Sequence, residues 1–212
     1  MADESNSIKP VFGSFLAVGR MGLRMASKNG TQWSEPQIAD KPHTLGSIAA
    51  GNGCAVAGGL NGTGENVFYR STDLTTWILQ KQKSDYVFML RNVAFGGSQF
   101  LAILSGGVNA EDAGTMLLSA DGNNWGERFK REKRSLNKAL WIGDKWIGIG
   151  NFGLKSVSVN GREWKDAENQ VAADTLIAVG YGNGRIVGVG LRGLRMSSSD
   201  GLKWSERQMG EE

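Results

Sequence analysis

Short apolar segments alternate with turns rich in glycine and asparagine along the whole chain, and none shows the 3.6-residue spacing of a helix. One such segment recurs five times, always with alanine or glycine at its third position. The copies are FLAVG (15–19), AVAGG (55–59), FLAIL (100–104), WIGIG (146–150) and IVGVG (186–190). This pattern predicts five β-strands, each with one face limited to small side chains.

A second apolar segment precedes each of these strands and ends in a turn that carries glycine. Four copies are clear, SIAAGNG (47–53), NVAFGGS (92–98), KALWIGD (138–144) and AVGYGNG (178–184), and SIKPVFG (7–13) is a weaker fifth copy. Glycine or asparagine supplies the positive φ that a tight hairpin requires. The two segments are therefore predicted to form a hairpin in every repeat.

A third motif, S-x-[D/N]-x-x-x-W, follows each hairpin, at Ser-to-Ser spacings of 44, 48, 39 and 40 residues. Five of the seven Trp occupy its last position. The motif residues are Ser27, Asn29 and Trp33; Ser71, Asp73 and Trp77; Ser119, Asp121 and Trp125; Ser158, Asn160 and Trp164; and Ser198, Asp200 and Trp204.

The residue types in this motif indicate a structural turn and not a ligand site. Asp or Asn can accept backbone N–H bonds inside its own turn, and the following Gly tolerates left-handed geometry. The Trp side chain is expected to pack between neighbouring repeats. Leu74 stands where other copies have Gly, so that turn is predicted to be strained or differently shaped.

Each repeat therefore reads as four short strands, here called a, b, c and d, with the motif between c and d. This spacing predicts an all-β protein, a five-bladed β-propeller with four-stranded antiparallel blades in one domain, residues 1–212. A sandwich or solenoid of the same strands is the alternative. The approximate blade boundaries are 7–40, 45–84, 90–132, 136–171 and 176–208.

The chain begins near a strand a and ends after a strand d, so the ring is predicted to close by packing of blade one on blade five. Pro10 cannot donate to a strand ladder, which makes the first blade thin. Residues 1–6 are expected to be weakly held or to pair with another chain. An oligomeric or particle-bound setting would protect such a blade.

Composition narrows the function classes. The net charge of +3 provides no global field for nucleic acid, and the single Cys54 excludes an intrachain disulfide. The N-terminus lacks a signal pattern and no apolar run reaches membrane-spanning length, so we expect cytoplasmic synthesis without membrane insertion. His43 is the only histidine and is predicted to be an exposed loop residue, so we expect neither a metal site nor a cofactor.

Candidate catalytic groups are sparse. The equivalent inner-strand positions carry Ser47, Asn92, Lys138 and Ala178 in place of the carboxylates of a five-bladed glycosidase. Glu111 and Asp112 are adjacent in the longest b–c loop, which is typical of a solvated loop but could also bind a cation or a sugar hydroxyl. We therefore predict a protein that is not an enzyme.

Basic residues supply the candidate binding positions. The run ERFKREKRS (127–135) reads as a d–a connection that could dock an anionic glycan, a phosphate backbone or an acidic protein surface, or could simply be solvated. Phe129 is its only aromatic residue, which argues against nucleic acid. Its cations are Arg128, Lys130, Arg131, Lys133 and Arg134. Arg20 and Arg192, at the tips of the similar b–c loops VGRMGLR and VGLRGLR, are further candidate binding residues.

Three further cations, Arg24, Lys155 and Arg195, recur at one position of strand c in repeats one, four and five. Their expected role is contact with neighbouring Trp or carboxylate side chains, including cation–π contact. A functional cationic stripe is the alternative.

The S-x-[D/N]-x-x-x-W motif resembles a shortened Asp-box, the turn of sialidase-type propellers, with one residue fewer between Ser and Trp. The resemblance covers about residues 7–208 and is closest to short-repeat propellers similar to those of bacteriophage virion and tail-associated proteins. It implies that the boxes lie on c–d turns, and that ligands meet the opposite rim of b–c and d–a loops. A sialidase would also need an arginine triad and a Tyr–Glu pair, and Tyr69 and Tyr181 fall inside predicted strands.

The sequence therefore predicts a non-catalytic module, virion-associated if phage-encoded, that docks to a virion or assembly protein or to a surface glycan. A lectin with one site per blade is the first alternative, because the b–c loops VGRMGLR, GNFGLKS and VGLRGLR are alike. A glycosidase-type enzyme is the second.

Overall fold

The computed structural model describes residues 13–80, 89–105, 113–131 and 133–210. Within these residues the chain folds into five antiparallel sheets that follow one another along the sequence. A single 3₁₀ turn, Leu191–Gly193, interrupts the strands. No helix in these ranges has the length and apolarity needed to cross a membrane.

The strands are short and their bounds follow the predicted repeats. The first sheet contains β1 (Phe15–Val18) and β2 (Arg24–Ser27). The second contains β3 (Thr44–Gly51), β4 (Cys54–Leu60), β5 (Asn66–Ser71) and β6 (Ile78–Gln80). The third contains β7 (Met89–Gly96), β8 (Gln99–Ser105), β9 (Gly114–Ser119) and β10 (Glu127–Arg131). The fourth contains β11 (Leu136–Trp141), β12 (Trp146–Gly150), β13 (Lys155–Ser158) and β14 (Lys165–Asp166), and the fifth contains β15 (Leu176–Gly182), β16 (Arg185–Gly190) and β17 (Arg195–Ser198).

The middle three sheets contain all four predicted strands in the order a-b-c-d. In the first and fifth sheets strand d is reduced to isolated bridges, Ser27 to Trp33 and Ser198 to Trp204. The predicted strand a of the first repeat, like residues 1–6, falls outside the described residues. The basic run was read wrongly as a connection, since its first five residues form β10 and pair with β9.

Every described strand a contains one extra residue at the same place. The register against strand b shifts between Leu45 and Ser47, and equivalent shifts follow Leu90, Leu136 and Leu176. Such a β-bulge bends the strand and turns the next side chains. The shared bulge gives every inner strand the same shape.

Side chains next to the bulge link each inner strand to the next. The Ser47 hydroxyl accepts the Val93 N–H at 2.9 Å, and the Asn92 side-chain oxygen accepts the Ala139 N–H at 3.0 Å. These bonds satisfy backbone donors that face the neighbouring sheet and not a strand partner. The polar residues predicted on the inner strands therefore join the sheets together.

The hydrophobic core lies between the sheets. Trp125 of the third sheet packs its ring 4.8 Å from that of Phe68 in the second, within a cluster that includes Phe100. Trp204 likewise packs among residues of the fourth sheet, including Ile147 and Ile149. Trp125 and Trp204 therefore pack against the neighbouring repeat as predicted, whereas Trp33 is 40% exposed.

Two glycines allow close approach between consecutive inner strands. A Cβ added to Gly51 would lie 2.3 Å from the Phe95 ring, and one added to Gly96 would lie 2.1 Å from the Trp141 Cβ. No side chain larger than hydrogen fits at either position unless the facing aromatic residue moves. The aromatic residue of each strand therefore seats directly on the glycine of the preceding sheet.

The first and fifth sheets each leave apolar side chains exposed. Trp33 is 40% exposed, whereas Trp125 and Trp204 are buried. Val187 of the fifth sheet is 46% exposed, and Val189 and Tyr181 are exposed on the same sheet. These exposed apolar side chains lie on the first and last of the described sheets.

Candidate functional site

The repeated motif is a closed network of local hydrogen bonds. The Asp121 side chain accepts the backbone N–H groups of Asn123 and Asn124 at 2.9 and 2.8 Å, and the Ser119 hydroxyl accepts the Gly122 N–H at 2.9 Å. The same bonds occur in the other four copies. The Asn124 N–H and its neighbours hold the pKa of Asp121 well below its usual range.

The Leu74 copy keeps this network but stores strain. Leu74 has φ of 64°, the left-handed region occupied by Gly30, Gly122 and Gly161 in other copies. Its N–H still donates to the Ser71 hydroxyl at 2.8 Å. The turn is therefore strained, as predicted, and its shape is unchanged.

The basic run does not present a uniform cationic surface. Arg131 pairs with Asp166 of the fourth sheet at 2.6 Å, and Arg134 donates to Gln170. Lys130 and Lys133 are exposed, and the side chain of Arg128 lies outside the description. At least two of these candidate binding cations thus join adjacent repeats.

The b–c turns of the first, fourth and fifth sheets have one geometry. Each places two consecutive residues at positive φ, Met21–Gly22, Phe152–Gly153 and Arg192–Gly193. In each, the first glycine of the loop donates its N–H to a leucine carbonyl, for example Gly190 to Leu194 at 2.9 Å. The rim therefore carries three equal turns, and Arg20 and Arg192 are exposed on two of them.

A cavity of about 420 Å³ opens on this rim between the fourth and fifth sheets. The two b–c turns and the d–a connection from Ala172 to Thr175 form its walls. Its apolar residues are Phe152, Leu191, Leu194 and Met209, and its charged residues are Asp174, Arg192 and Arg207.

Charged groups are buried at the base of this cavity. Asp174 is only 1% exposed and lies 2.8 Å from the Arg207 Nε. Lys155, 0% exposed, lies behind it, and burial lowers the pKa of its ammonium while Asp174 partly restores it. Apart from this ion pair with Arg207, neither the Asp174 carboxylate oxygens nor the Lys155 Nζ makes a hydrogen bond among the described residues.

His43 is buried, which corrects the predicted exposed loop position. It is 4% exposed, and its Nδ1 lies 2.7 Å from the Tyr69 hydroxyl. The Arg24 guanidinium lies 5.0 Å from the centre of the Tyr69 ring and 5.8 Å from that of Trp77. The predicted cation–π role is confirmed for Arg24, and the His43 site was missed because its partners lie in other repeats.

Other candidate groups stand apart from this rim. Lys138, Asn92 and Trp141 line a central opening of about 350 Å³ between the inner strands. Cys54 is buried and burial raises the pKa of its thiol. In the part of the chain that is described, no three His, Cys, Asp or Glu side chains could hold one metal ion. Glu111 and Asp112 lie outside that part.

Comparison with known proteins identifies the fold. No protein-family profile matches the chain, and no curated protein matches its sequence. The structure "YCF48 bound to D1 peptide" superposes with a TM-score of 0.61 at 14% identity, covering 92% of this chain and 63% of that chain. "YCF48 from Cyanidioschyzon merolae" gives 0.60 at 15% identity, covering 96% and 70%. The "computationally designed Ika4 protein" gives 0.52 at 10% identity, covering 73% and 90%.

YCF48 is a β-propeller. This chain has a propeller-type repeat fold. It spans less than two thirds of the first neighbour's length, so neither the number of blades nor the partner is transferred from that neighbour. The low sequence identity limits the comparison to the fold.

Proposed function

We propose that this chain is a non-catalytic binding module that docks a segment of another protein on the rim formed by the b–c turns and d–a connections. The observation that carries this proposal is the interblade cavity on that rim, with buried charges at its base and the exposed Arg192 at its edge. Loops on a rigid β scaffold are common binding elements. The neighbour YCF48, whose structure holds a D1 peptide, supports protein docking.

The rim can be tested with a random-peptide library selected on the immobilised protein. Replacing Arg20 and Arg192 by Glu should weaken the selected peptides at least tenfold, since both cations lie on the docking rim. The control variant Lys203→Glu changes the opposite, c–d side and should bind as the wild type does. Failure to select any peptide, or equal loss in the control, would exclude this function.

The ring is proposed to close with five blades. The apolar side chains left exposed on the first and fifth sheets, at Trp33 and Val187, support closure, because the equivalent residues Trp125, Trp204 and Ile147 are buried between neighbouring sheets. Covering them would remove exposed apolar area from water.

A virion-associated decoration or tail role is part of the same proposal, with synthesis in the cytoplasm. It is supported by the resemblance of the repeats to those of bacteriophage virion proteins. Co-sedimentation of the labelled protein with purified phage particles from the source of this sequence tests it. Absence of the protein from the particles would contradict the role.

A multivalent lectin is a second candidate function. The equal geometry of the b–c turns in the first, fourth and fifth sheets favours repeated sites. A glycan array separates the two candidates, because a lectin would bind sugars without any peptide.

A further inference from the structure

Two junctions between neighbouring sheets contain equivalent slots. His43 and Asp174 each lie two residues before the leucine at the bulge of strand a. Each offers its backbone carbonyl to the glycine N–H of the preceding b–c turn, from Gly22 at 2.7 Å and from Gly153 at 2.5 Å. The side chains of His43 and Asp174 therefore occupy the same place in the repeat.

The slot between the first and second sheets is filled by a tyrosine of the chain itself. The Tyr69 hydroxyl lies 2.7 Å from His43 Nδ1, and the Arg24 guanidinium covers the phenol ring. Both members of the hydrogen bond are buried. A buried polar side chain at this position is thus satisfied by a phenol.

The slot between the fourth and fifth sheets lacks this phenol. Met196 occupies the position of Tyr69, since Met196 pairs with Gly188 as Tyr69 pairs with Ala57. Methionine has no hydroxyl, and within the described chain the Asp174 carboxylate is ion-paired with Arg207 but accepts no hydrogen bond. The cavity of about 420 Å³ opens beside that carboxylate.

The charges of the site select the kind of group that fits. Asp174 is already paired with Arg207, and Lys155 is buried nearby, so another cation would meet net positive charge. The Asp174 carboxylate accepts no hydrogen bond beyond its ion pair with Arg207, so it can take one from a neutral hydroxyl. The walls include the apolar residues Phe152, Leu191 and Met209, so they favour an aromatic ring over a polar ring such as that of a sugar.

We propose that this cavity binds the tyrosine side chain of a docked peptide, whose hydroxyl donates to the Asp174 carboxylate while its ring packs on the apolar wall. The hydroxyl oxygen can accept from Arg207, so that a residue from the partner reproduces the Tyr69 arrangement of the first junction. This assignment rests on the proposed docking function and names its anchor residue.

The first test uses small probes and needs no partner. N-acetyl-tyrosinamide, N-acetyl-phenylalaninamide and methyl glucoside are titrated separately into the isotope-labelled full chain, with amide chemical shifts as the readout. We expect the tyrosine probe to shift resonances around the cavity and to bind about tenfold more tightly than the phenylalanine probe. The phenylalanine probe has no hydroxyl and cannot donate a hydrogen bond to the charged Asp174 carboxylate. Asp174→Asn should reduce that preference, whereas Lys203→Ala, on the opposite c–d side, should leave it unchanged.

Equal binding of the two amides, binding of the glucoside alone, or an unchanged preference in Asp174→Asn would overturn the assignment. The absence of any chemical-shift change around the cavity at the highest soluble concentration of the tyrosine probe would also overturn it. None of these outcomes concerns the peptides selected on the rim. If those peptides still bind but tolerate Tyr→Phe replacement, protein docking stands and the tyrosine anchor fails.

A second pair of variants fills the slot from within. Met196→Tyr should supply the missing hydroxyl, raise the melting temperature above that of Met196→Phe, and abolish binding of the tyrosine probe. Equal melting temperatures with retained probe binding would contradict the proposed equivalence with Tyr69. The comparison with Phe separates the hydroxyl from the cost of fitting a larger ring.

Discussion

At the scale of single residues, the c–d turn is defined by two side-chain acceptors that satisfy several backbone donors. In all five copies the Ser hydroxyl accepts the N–H of the residue three positions later. The Asp or Asn side chain accepts the N–H of the residue three positions after itself. Both Asp and Asn serve because the required acceptor is a carbonyl-type oxygen. What differs between copies is charge and the residue at the left-handed position.

Leu74→Gly is expected to stabilise the protein. Leu74 has φ of 64°, a conformation that costs a residue with a side chain about 1–2 kcal/mol. Glycine removes this cost but loses more conformational entropy on folding, so only part of the cost is recovered. The free energy of unfolding in urea should rise by about 0.5–1 kcal/mol. Leu79→Gly, in strand β6, is the matched control and should lose stability. A loss in both variants would show that no strain is stored at Leu74.

Replacing Asp73, Asp121 and Asp200 together by Asn should weaken the loss of stability in acid. Backbone N–H donors lower the pKa of each carboxyl in the folded state. Their contribution is therefore present above the unfolded pKa of about 3.9 and is lost as pH falls below it. The difference in unfolding free energy between neutral and acid pH should shrink. A difference as large as that of the wild type would contradict this role of the three carboxylates.

The residues predicted from sequence and those missed differ in the range of their contacts. The motif residues make local bonds and recur five times, so their role was readable from spacing alone. His43 and Asp174 lie in connections between repeats and belong to no repeated motif. Their partners, Tyr69 and Arg207, are far from them in sequence. Arg131 and Arg134 read as surface charge for the same reason, because Asp166 and Gln170 belong to the next repeat.

At the scale of strands and sheets, the shared bulge and the glycine seats set how the sheets stack. The bulge was not predicted, since an extra residue leaves no signal in apolar patterning. The tiny third position of strand b was predicted, and it serves the sheet's own tryptophan. A Cβ added to Gly148 would lie 2.6 Å from the Trp164 ring. Small residues are thus required both within a sheet and between sheets.

Gly96→Ala should disrupt the junction between the third and fourth sheets. The added Cβ would overlap the Trp141 Cβ at 2.1 Å, and a group that close to the backbone cannot rotate away. We expect the unfolding free energy to fall by about 1–3 kcal/mol. Gly46→Ala lies at an open bulge position with nothing within 4 Å and should change it little. Similar effects of both variants would mean that the close approach does not constrain packing.

At the scale of the whole molecule, closure of the ring is the feature that local patterns do not decide. Five repeats are read directly from the sequence, but the angle between sheets depends on side-chain volumes at each junction. Two of the three neighbours of known structure are longer than this chain, so the number of blades is not taken from them. The exposed faces of the first and fifth sheets therefore provide the experimental handle.

Val189→Lys should lower the unfolding free energy by about 1–2 kcal/mol if the first sheet covers this face in the closed ring. Val159→Lys, at an exposed position of a c–d turn, should have little effect. Light scattering must give the mass of a single chain, because a second copy could cover the same face. Equal, small effects of both variants would contradict closure at this junction.

Three of the hydrophobic clusters are each shared by two neighbouring sheets, so the second to fifth sheets stabilise one another. If the junction between the first and fifth sheets is open, such a chain behaves as a row of linked units whose stabilities add along the row. Amide hydrogens at the centre of the row, in the third sheet, should exchange with deuterium last. Exchange should begin in the first and fifth sheets and reach the middle sheets later. Duplication of one whole repeat would add a unit to the row and leave the contacts between the other repeats unchanged.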